Sequence, residues 1–299
     1  MDFYWIPWFF VGFLCRVNNL STGKLYIVAT PIGNLEDFTY RARRILDEVD
    51  LIYAEDTRRT RVLCNHYGIS TSLKSLNAHN SHQRIPGVLV ALEQGRSLAL
   101  VSDAGMPVLR DPGEPVIKAV VDAGMDVEVL PGPSSVVTAL AGSGFSGDRF
   151  IFEGFPPRKV GERKRWLTAL SAEERTLILF ESPNRLVALL RTIVEVLGEE
   201  RLIVVARELT KRFETWYRGG AGSVLATFEA EPPRGEIVVL IQGSDGSESA
   251  INQTQKNPEQ LLREAFESGL RVKDAARQVA DQTGMPRSKL YQMALGLRE

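Results

Sequence analysis

Two short loops rich in small residues are the part of the sequence best suited to chemistry. Ser102-Asp103-Ala104-Gly105-Met106-Pro107 follows the apolar run Ser97–Val101, and Pro131-Gly132-Pro133-Ser134-Ser135 follows the run Asp126–Leu130. Glycine lets a ligand approach the backbone closely, and Asp103 adds a carboxylate that accepts hydrogen bonds. The pattern predicts a ligand site, although two tight turns in an ordinary domain would have the same composition.

The elements next to these loops predict a parallel sheet. Ser97–Val101 has the length and composition of a buried parallel strand. A helix is expected over Val116–Ala123, with Asp111 as its N-cap, Pro112 at its first position and Glu114 completing a capping box. Both loops then stand at carboxyl ends of strands, where open α/β sheets bind their ligands.

The preceding part of the chain continues this alternation. Strands are expected at Leu25–Ala29, Leu51–Ala54 and Ser72–Leu76, with helices at Tyr40–Val49 and through Leu89–Gln94. Such alternation predicts a parallel sheet covered on both faces. Since no G-x-G-x-x-G follows the first strand and the chain has no P-loop motif, dinucleotide and P-loop nucleotide sites are disfavoured.

The second half of the chain predicts another α/β unit and a helical piece. Ser143–Gly147 is a hinge, and strands are expected at Phe150–Glu153, Thr176–Glu181, Leu202–Glu208 and Ile237–Gln242, with a helix at Leu186–Leu197. The polar stretch 244–258 is a predicted linker. Three helices follow, at Leu261–Glu267, Val272–Thr283 and Arg287–Leu297. Their apolar spacing predicts a small helix-turn-helix packed through Ala275, Ala276, Val279, Ala280, Leu290 and Ala294.

Two clusters of basic residues are candidates for binding a polyanion. Arg58, Arg59 and Arg61 follow the second strand, where they could line a cleft or belong to the solvated face of a helix. The stretch 158–165 lies between Phe155 and Trp166, an arrangement suited to phosphate contacts and base packing. The alternative is a solvated helix face with Trp166 in the core. The candidate contacts in this stretch are Arg158, Lys159, Arg163 and Lys164.

Overall charge and composition say little more about the function of the protein. The 299 residues carry 36 Lys and Arg against 37 Asp and Glu, so any nucleic-acid role must come from local clusters. Two cysteines and three histidines predict neither a disulfide framework nor a metal set, which indicates a reducing cytoplasm. The apolar segment Phe3–Leu14 is too short to cross a bilayer as a helix. It is interpreted as a non-native start, a packing segment or a membrane contact, and folding is expected to begin near Lys24.

Six motifs in one order carry a resemblance to a known family. They are Val28-Ala29-Thr30-Pro31-Ile32-Gly33-Asn34-Leu35, Ala54-Glu55-Asp56-Thr57-Arg58, Val101-Ser102-Asp103-Ala104-Gly105, Asp111-Pro112-Gly113, Leu130-Pro131-Gly132-Pro133-Ser134 and Ala206-Arg207-Glu208-Leu209-Thr210-Lys211. Together they resemble the tetrapyrrole methylase superfamily, and in particular its members that methylate ribosomal RNA. The likeness runs from about Lys24 to Gly243.

The resemblance implies two α/β domains of tetrapyrrole methylase type, at 24–142 and 143–243. Before them we expect an N-terminal extension at 1–23, and after the linker a helical piece at 259–299, which also looks like that of the family and for which we expect a role in RNA docking. It implies a homodimer, S-adenosylmethionine in the interdomain cleft, and 2′-O-methylation of a cytidine ribose in the decoding region of 16S rRNA. The implied cofactor contacts are Pro31, Asp103, Gly105, Met106, Ser134, Ser135, Ala206 and Gly235. Met106 stands where relatives usually have Thr, so a hydroxyl contact is expected to be missing. Asn184 stands where His is expected.

Methyl transfer to a ribose hydroxyl requires a group that accepts or polarises its proton. The candidates are Asp56, His79 and Glu181, all at predicted strand ends or loops, and the sequence does not choose among them. In the helical piece, Arg287 and Lys289 open the third helix, where they would meet RNA phosphates, although a structural cap is the alternative. Methylation of a tetrapyrrole or a protein side chain remains open, as does a non-catalytic RNA-binding role in assembly.

Overall fold

The computed structural model describes residues 23–244, 258–283 and 285–297. The chain divides into two compact units, one of residues up to Thr138 with Glu208–Glu214, the other of Ala139–Arg207 with residues from Thr215 onward. The predicted N-terminal extension, except residue 23, and most of the predicted linker lie outside the described residues. None of the described helices is long and apolar enough to cross a membrane.

The first unit contains the predicted parallel sheet. Its strands are β1 (Lys24–Val28), β2 (Leu51–Ala54), β3 (Leu73–Ser75), β4 (Leu98–Val101) and β5 (Asp126–Leu130), in the order β3-β2-β4-β1-β5. All four pairings are parallel. The helices are α1 (Tyr40–Glu48), α2 (Thr57–Tyr67), α3 (Ser81–Glu93) and α4 (Glu114–Asp122), and α5 (Ser135–Ser143) begins in this unit.

Helices cover both faces of this sheet, which is why its strands consist of nearly continuous apolar runs. Side chains of α1 and α2, among them Leu46 and Leu63, pack against one face. Side chains of α3 and α4, among them Leu92 and Val120, pack against the other. Every residue of β4 is buried. Cys64 is buried with a free thiol.

The predicted capping of α4 is wrong. The helix begins at Glu114, and its N-cap is Gly113, with φ of 135° and no side-chain cap. A Cβ at this position would lie 2.8 Å from Leu100 Cδ2, so close packing against β4 favours glycine here. Asp111 stays in the preceding loop, where its carboxyl hydrogen-bonds the Ser102 side chain.

The second unit contains a mixed sheet. Its strands are β6 (Phe150–Gly154), β7 (Thr176–Glu181), β8 (Leu202–Arg207), β9 (Thr215–Gly220) and β10 (Ile237–Ile241), in the order β6-β7-β10-β8-β9. Only the β6–β7 pairing is parallel. The helices α6 (Val160–Ala169), α7 (Pro183–Leu197) and α8 (Ala221–Ala230) share one apolar core with this sheet. Strand β9 was not expected, because its sequence ends in two glycines and lacks a clear alternation.

The C-terminal helices α9 (Pro258–Glu267), α10 (Val272–Thr283) and α11 (Arg287–Gly296) have a core of their own. All six residues predicted to pack there are buried in it, and Leu262 and Ala265 of α9 complete it. The helical spacing in the sequence therefore predicted this core correctly.

Candidate functional site

The loops after β1 and β4 are joined by hydrogen bonds at the carboxyl edge of the first sheet. Thr30 and Gly105 exchange two backbone hydrogen bonds, with N–O distances of 3.0 and 2.9 Å. The Thr30 hydroxyl donates to the Ser102 carbonyl, and the Ser102 hydroxyl donates to the Gly105 carbonyl. Both hydroxyl-bearing residues are buried. The two loops are therefore joined through both backbone and side-chain hydrogen bonds.

The topology explains why this edge can form a crevice. Strand β1 leads to β2 on one side of the sheet order, and β4 leads to β5 on the other. The chain thus leaves two neighbouring strands in opposite directions, which is the switch point at which open α/β sheets bind ligands.

Two other segments complete this edge. Gly105 has φ of +84°, and a Cβ there would lie 3.2 Å from Ile32 Cγ2 and 3.6 Å from the Pro133 carbonyl oxygen. A Cβ at Gly33 would lie 2.9 Å from the Leu209 carbonyl oxygen. The loop after β5 and the segment Glu208–Glu214 therefore approach the β1 and β4 loops closely. We call these four segments the loop edge.

Asp103 connects the loop edge to the start of α2. Its Oδ1 accepts a hydrogen bond of 2.9 Å from the Asp56 backbone N–H, and its Oδ2 lies 3.4 Å from the Arg59 guanidinium. The side chain keeps about 20% of its surface exposed. It borders a cavity of about 140 Å³, whose polar lining includes Thr30, Arg59, Thr60 and Ser102. The cavity thus offers a fixed carboxylate acceptor beside a cation.

Two carboxyl groups near Asp103 were missed by the sequence analysis. Burial raises the pKa of Glu55 to about 6, and Asp111 and Asp103 add to the effect. Burial also raises the pKa of Asp111 to about 6, although its hydrogen bond with Ser102 opposes this. Glu55 directly follows β2 and Asp111 follows the β4 loop, so their position at strand ends was the available signal.

The three predicted proton acceptors have different surroundings. Asp56 caps α2, with Oδ1 accepting from the Arg58 backbone N–H, and its hydrogen bonds with the Arg58 side chain hold its pKa at about 2. A carboxylate with so low a pKa is a weak base. His79 is exposed in the turn before α3, and its backbone N–H donates to Asn77 Oδ1.

Glu181 is wrong as a proton acceptor that faces a cleft, because its side chain has no exposed surface. Oε1 accepts from the Ser182 backbone N–H, and Oε2 lies 3.3 Å from the Arg185 guanidinium. Burial raises the pKa of this carboxyl, while Arg185 and Arg163 oppose that shift. Its position at the end of β7 gives it a structural role inside the second unit.

The first cluster of basic residues lies on the first turns of α2. Arg58 and Arg59 keep 88% and 68% of their side-chain surface exposed, although each pairs with a carboxylate of the loop edge or the helix cap. Arg61 is exposed as well. The cluster thus lies on the solvated face of a helix start, which was one of the two predicted alternatives. Its guanidinium groups are exposed and could also contact a polyanion.

In the second cluster, Arg163 is wrong as a surface contact. It is buried, and its guanidinium donates to Thr192 Oγ1 and the Ala188 carbonyl of α7. Trp166 packs against the core, with its indole N–H donating to Glu153. The physical reason is the helical period, because α6 turns these two side chains toward α7 and the sheet. Arg158 and Lys159 remain exposed, and Lys164 pairs with Glu195.

The remaining predicted cofactor residues are divided between the units. Pro31 lines the cavity, Met106 follows Gly105 in the same loop, and Ser134 and Ser135 stand at the start of α5. Ala206 is buried within β8, and Gly235, with φ of +86°, precedes β10. These last two belong to the second unit.

Comparison with known proteins decides the family. Residues 24–225 match the tetrapyrrole (corrin/porphyrin) methylases, and residues 254–298 match the RsmI C-terminal HTH domain. A ribosomal RNA small subunit methyltransferase I of Synechocystis is 44% identical over 92% of this chain and 98% of its own length. One from Escherichia coli O157:H7 is 43% identical over 92% and 96%. The chain belongs to the ribosomal RNA small subunit methyltransferase I family of tetrapyrrole methylases.

Solved structures agree on the fold of this family. A uroporphyrin-III C-methyltransferase from Thermus thermophilus has a TM-score of 0.53 at 21% identity, over 77% of this chain and 98% of its own. A diphthine synthase has a TM-score of 0.57 at 11% identity, over 74% and 90%. At such identities the likeness concerns the fold alone.

Proposed function

We propose that this protein transfers a methyl group from S-adenosylmethionine to ribosomal RNA of the small subunit, at the 2′-hydroxyl of a cytidine ribose. The observation that carries the proposal is the loop edge, in which four segments join around Asp103 at the switch point of the first sheet. Relatives named for this activity align over more than nine-tenths of the chain. The specific nucleotide, like the cytoplasmic location and the homodimer, rests on the family resemblance.

The loop edge fits the proposed cofactor. The Asp103 carboxylate is fixed, partly exposed and able to accept hydrogen bonds from ribose hydroxyls or an amino group. Gly105 presents backbone without a side chain, which allows close approach. Pro31, Met106, Ser134 and Ser135 would complete the binding on this unit, and the family resemblance adds Ala206 and Gly235 of the second unit as contacts. A relative in fold, the uroporphyrin-III C-methyltransferase of Thermus thermophilus, has been solved with S-adenosylhomocysteine.

When bound, the cofactor supplies an electrophilic methyl group. The chain's own contribution is then to hold a hydroxyl in line with that group and to exclude water, which can supply much of the rate enhancement. The joined loops suit this task because their buried hydroxyls already donate hydrogen bonds to loop carbonyls, Thr30 to Ser102 and Ser102 to Gly105. No covalent nucleophile is required.

The hydroxyl must also lose its proton. Asp56 and Glu181 suit this step poorly, for the reasons given above, so His79 is left among the three predicted groups. Glu55, directly after β2, and Asp111, after the β4 loop, are further candidates near Asp103, because a pKa of about 6 leaves each carboxylate ionised near neutral pH and more basic than an ordinary one. Variants Glu55→Gln, Asp111→Asn and His79→Gln, compared by their pH–rate profiles, would separate these groups.

The test of the proposed function is transfer of labelled methyl groups by the full chain to 16S rRNA, to 30S subunits, to a tetrapyrrole and to a bulk protein extract. We expect labelled RNA that resists alkaline cleavage at one ribose. Asp103→Ala should abolish transfer, while the exposed Asp122→Asn in α4 should leave it unchanged. Label on the tetrapyrrole or protein instead would contradict the RNA substrate, and cofactor binding without transfer to any acceptor would favour the non-catalytic alternative.

A further inference from the structure

We propose that the groove between α10 and α11 binds a single-stranded segment of RNA, with one base stacked on Tyr291 and the backbone phosphates held by Lys273, Arg277 and Arg287. The inference deepens the proposed function and rests on it for the choice of RNA as the ligand. It replaces a general docking role of the C-terminal helices by one defined surface.

The groove is a cavity of about 610 Å³. Besides Asp274 and Ala276, its lining side chains are cations, hydrogen-bonding groups and one aromatic ring. They are Lys273, Arg277, Arg287, Ser288, Tyr291 and Gln292. A cavity of this composition suits a polar, charged ligand with a flat apolar part, and a nucleotide has all three features.

Helical periodicity arranges the lining in rows. Lys273 and Arg277 are four residues apart on α10, and Arg287 and Tyr291 are four apart on α11, so each pair shares a helix face. The opposite faces carry Ala275, Val279 and Leu290, which are fully buried in the core of the three helices. The groove is therefore an outward face of a packed structure and not a packing defect within it.

Charge favours an anionic ligand. Among the described residues that line the groove, three are cations and one is an acid, Asp274, whose Oδ1 lies 3.8 Å from the Arg277 guanidinium. Both side chains of that pair are about half exposed, so the ion pair contributes little and Arg277 can turn to a phosphate. The whole chain carries a formal charge of −1, so the positive excess is a property of this surface and not of the protein in general.

The aromatic ring and the amide favour single-stranded RNA over a duplex. Tyr291 keeps 40% of its surface exposed, which leaves its ring accessible to a base. Stacking is available only to bases that are not paired within a duplex, and an A-form duplex hides its bases in a deep, narrow major groove. Gln292 and Ser288 offer donors and acceptors for the edge of the stacked base.

The experiment measures binding of the full chain to purified 16S rRNA and to 30S subunits over a salt series. For Lys273→Ala/Arg277→Ala we expect weaker binding, and a slope of log affinity against log salt that is smaller by about 0.7 for each lost phosphate contact. For Tyr291→Ala we expect a loss of about 5- to 150-fold, corresponding to about 1–3 kcal/mol of stacking, and Tyr291→Phe should restore it.

The matched control is Arg263→Ala/Arg271→Ala, which removes two exposed cations that do not line the groove, Arg263 on α9 and Arg271 directly before α10. If this control weakens binding as much as the groove variant, general charge and not the groove binds RNA. Loss of binding to 30S subunits alone would assign the groove to a ribosomal protein, and unchanged binding in every folded groove variant would exclude it as a binding site.

Cofactor binding and methyl transfer distinguish this inference from the proposed function. All the variants should bind S-adenosylmethionine normally, and the groove variants should raise KM for RNA with little change in kcat. A protein that methylates rRNA while its groove variants bind normally would overturn only the groove. A protein that binds RNA through the groove but transfers no methyl group would overturn only the proposed function.

Discussion

The loop edge and the C-terminal groove differ in how many of their polar groups are committed to the fold, that is, buried and hydrogen-bonded within the protein. At the loop edge, Thr30 and Ser102 are 3% exposed; the Thr30 hydroxyl donates to the neighbouring loop and the Ser102 hydroxyl donates within its own loop. In the groove, Tyr291 and the lining cations are exposed, and the ion pair between Arg277 and Asp274 is long, at 3.8 Å. The first region is thus prepared before a ligand arrives, whereas the second can rearrange around one. Substitutions should therefore affect both stability and binding at the loop edge, but binding alone in the groove.

The largest effect is expected for Gly105→Val. A β-branched residue is strained at φ of +84°, and its side chain would meet Ile32 and the Pro133 carbonyl, so the loop that carries Asp103 would have to shift. We expect stability to fall by about 2–4 kcal/mol and S-adenosylmethionine to bind at least about tenfold more weakly. Denaturant unfolding and calorimetry measure the two. Gly161→Val, in α6 with open space around it, is the control. Wild-type cofactor affinity in a folded Gly105→Val protein would contradict the conclusion that substitutions at the loop edge affect both stability and binding.

A smaller effect is expected for Ser102→Ala. The substitution removes the hydroxyl that donates to the Gly105 carbonyl and hydrogen-bonds Asp111, inside a buried site. We expect a loss of about 1–2 kcal/mol of stability together with weaker cofactor binding. Ser268→Ala, which removes an exposed hydroxyl bonded to the Glu264 carbonyl, should change neither quantity. If Ser102→Ala weakened only cofactor binding, the loop edge would be no more committed to the fold than the groove.

Much of this comparison could be predicted from the sequence. The strands of the first unit and the body of α1 and α4 follow from apolar runs and turn residues, whereas α2 was only one alternative and α5 was not predicted. The core of the C-terminal helices follows from apolar residues at helical spacing. Both signals reflect burial of local patterns, which the sequence contains. The start of α4 was missed because Gly113 packs against Leu100, a contact with a different element.

The side chains that sequence reasoning misplaced are charged residues whose surroundings come from distant elements. Arg163 looks like its basic neighbours in sequence, but its partners Thr192 and Ala188 lie on α7. Glu181 looks like a strand-end carboxylate, yet it is enclosed. Burial raises the pKa values of Glu55 and Asp111, and neighbouring carboxylates add to the effect, Asp111 and Asp103 for Glu55 and Asp103 for Asp111. Local pattern predicts where a residue lies along an element, and tertiary packing decides whether its charge is available.

The dependence of stability on pH should show whether ionisation of the buried carboxyl groups near Asp103 destabilises the fold. The pKa of Asp111 in the folded protein is about 6, above its usual 3.8, so folding disfavours its ionised form. Its contribution to stability therefore falls as pH rises from about 4 to about 6 and stays reduced above that. Asp111→Asn should be more stable than the wild type by about 1–2 kcal/mol near pH 8, after allowance for solvent screening, and no more stable near pH 4.

Thermal unfolding of the two proteins across this pH range is the measurement. Asp122→Asn, an exposed acid paired with Lys118, is the control and should show no such pH dependence. NMR titration gives a second readout, because the charge of Asp111 contributes to the raised pKa of Glu55. That pKa should fall in Asp111→Asn. An equal stability difference at both pH values would mean that Asp111 is not strained by ionisation.

The smallest effect is expected when Arg287 and Lys289 are each replaced by alanine and the two variants are compared. Both open α11 and both are exposed, and the sequence predicted both as phosphate contacts. Only Arg287 lines the groove. Arg287→Ala should lower the slope of log affinity for 16S rRNA against log salt by about 0.7, whereas Lys289→Ala should change it by much less, and neither should alter the free energy of unfolding. Equal slopes for the two variants would mean that phosphate binds to the start of α11 in general, as expected for a helix N-terminus. The groove would then not be the binding surface. A loss of stability in Arg287→Ala would instead show that the groove, like the loop edge, is committed to the fold.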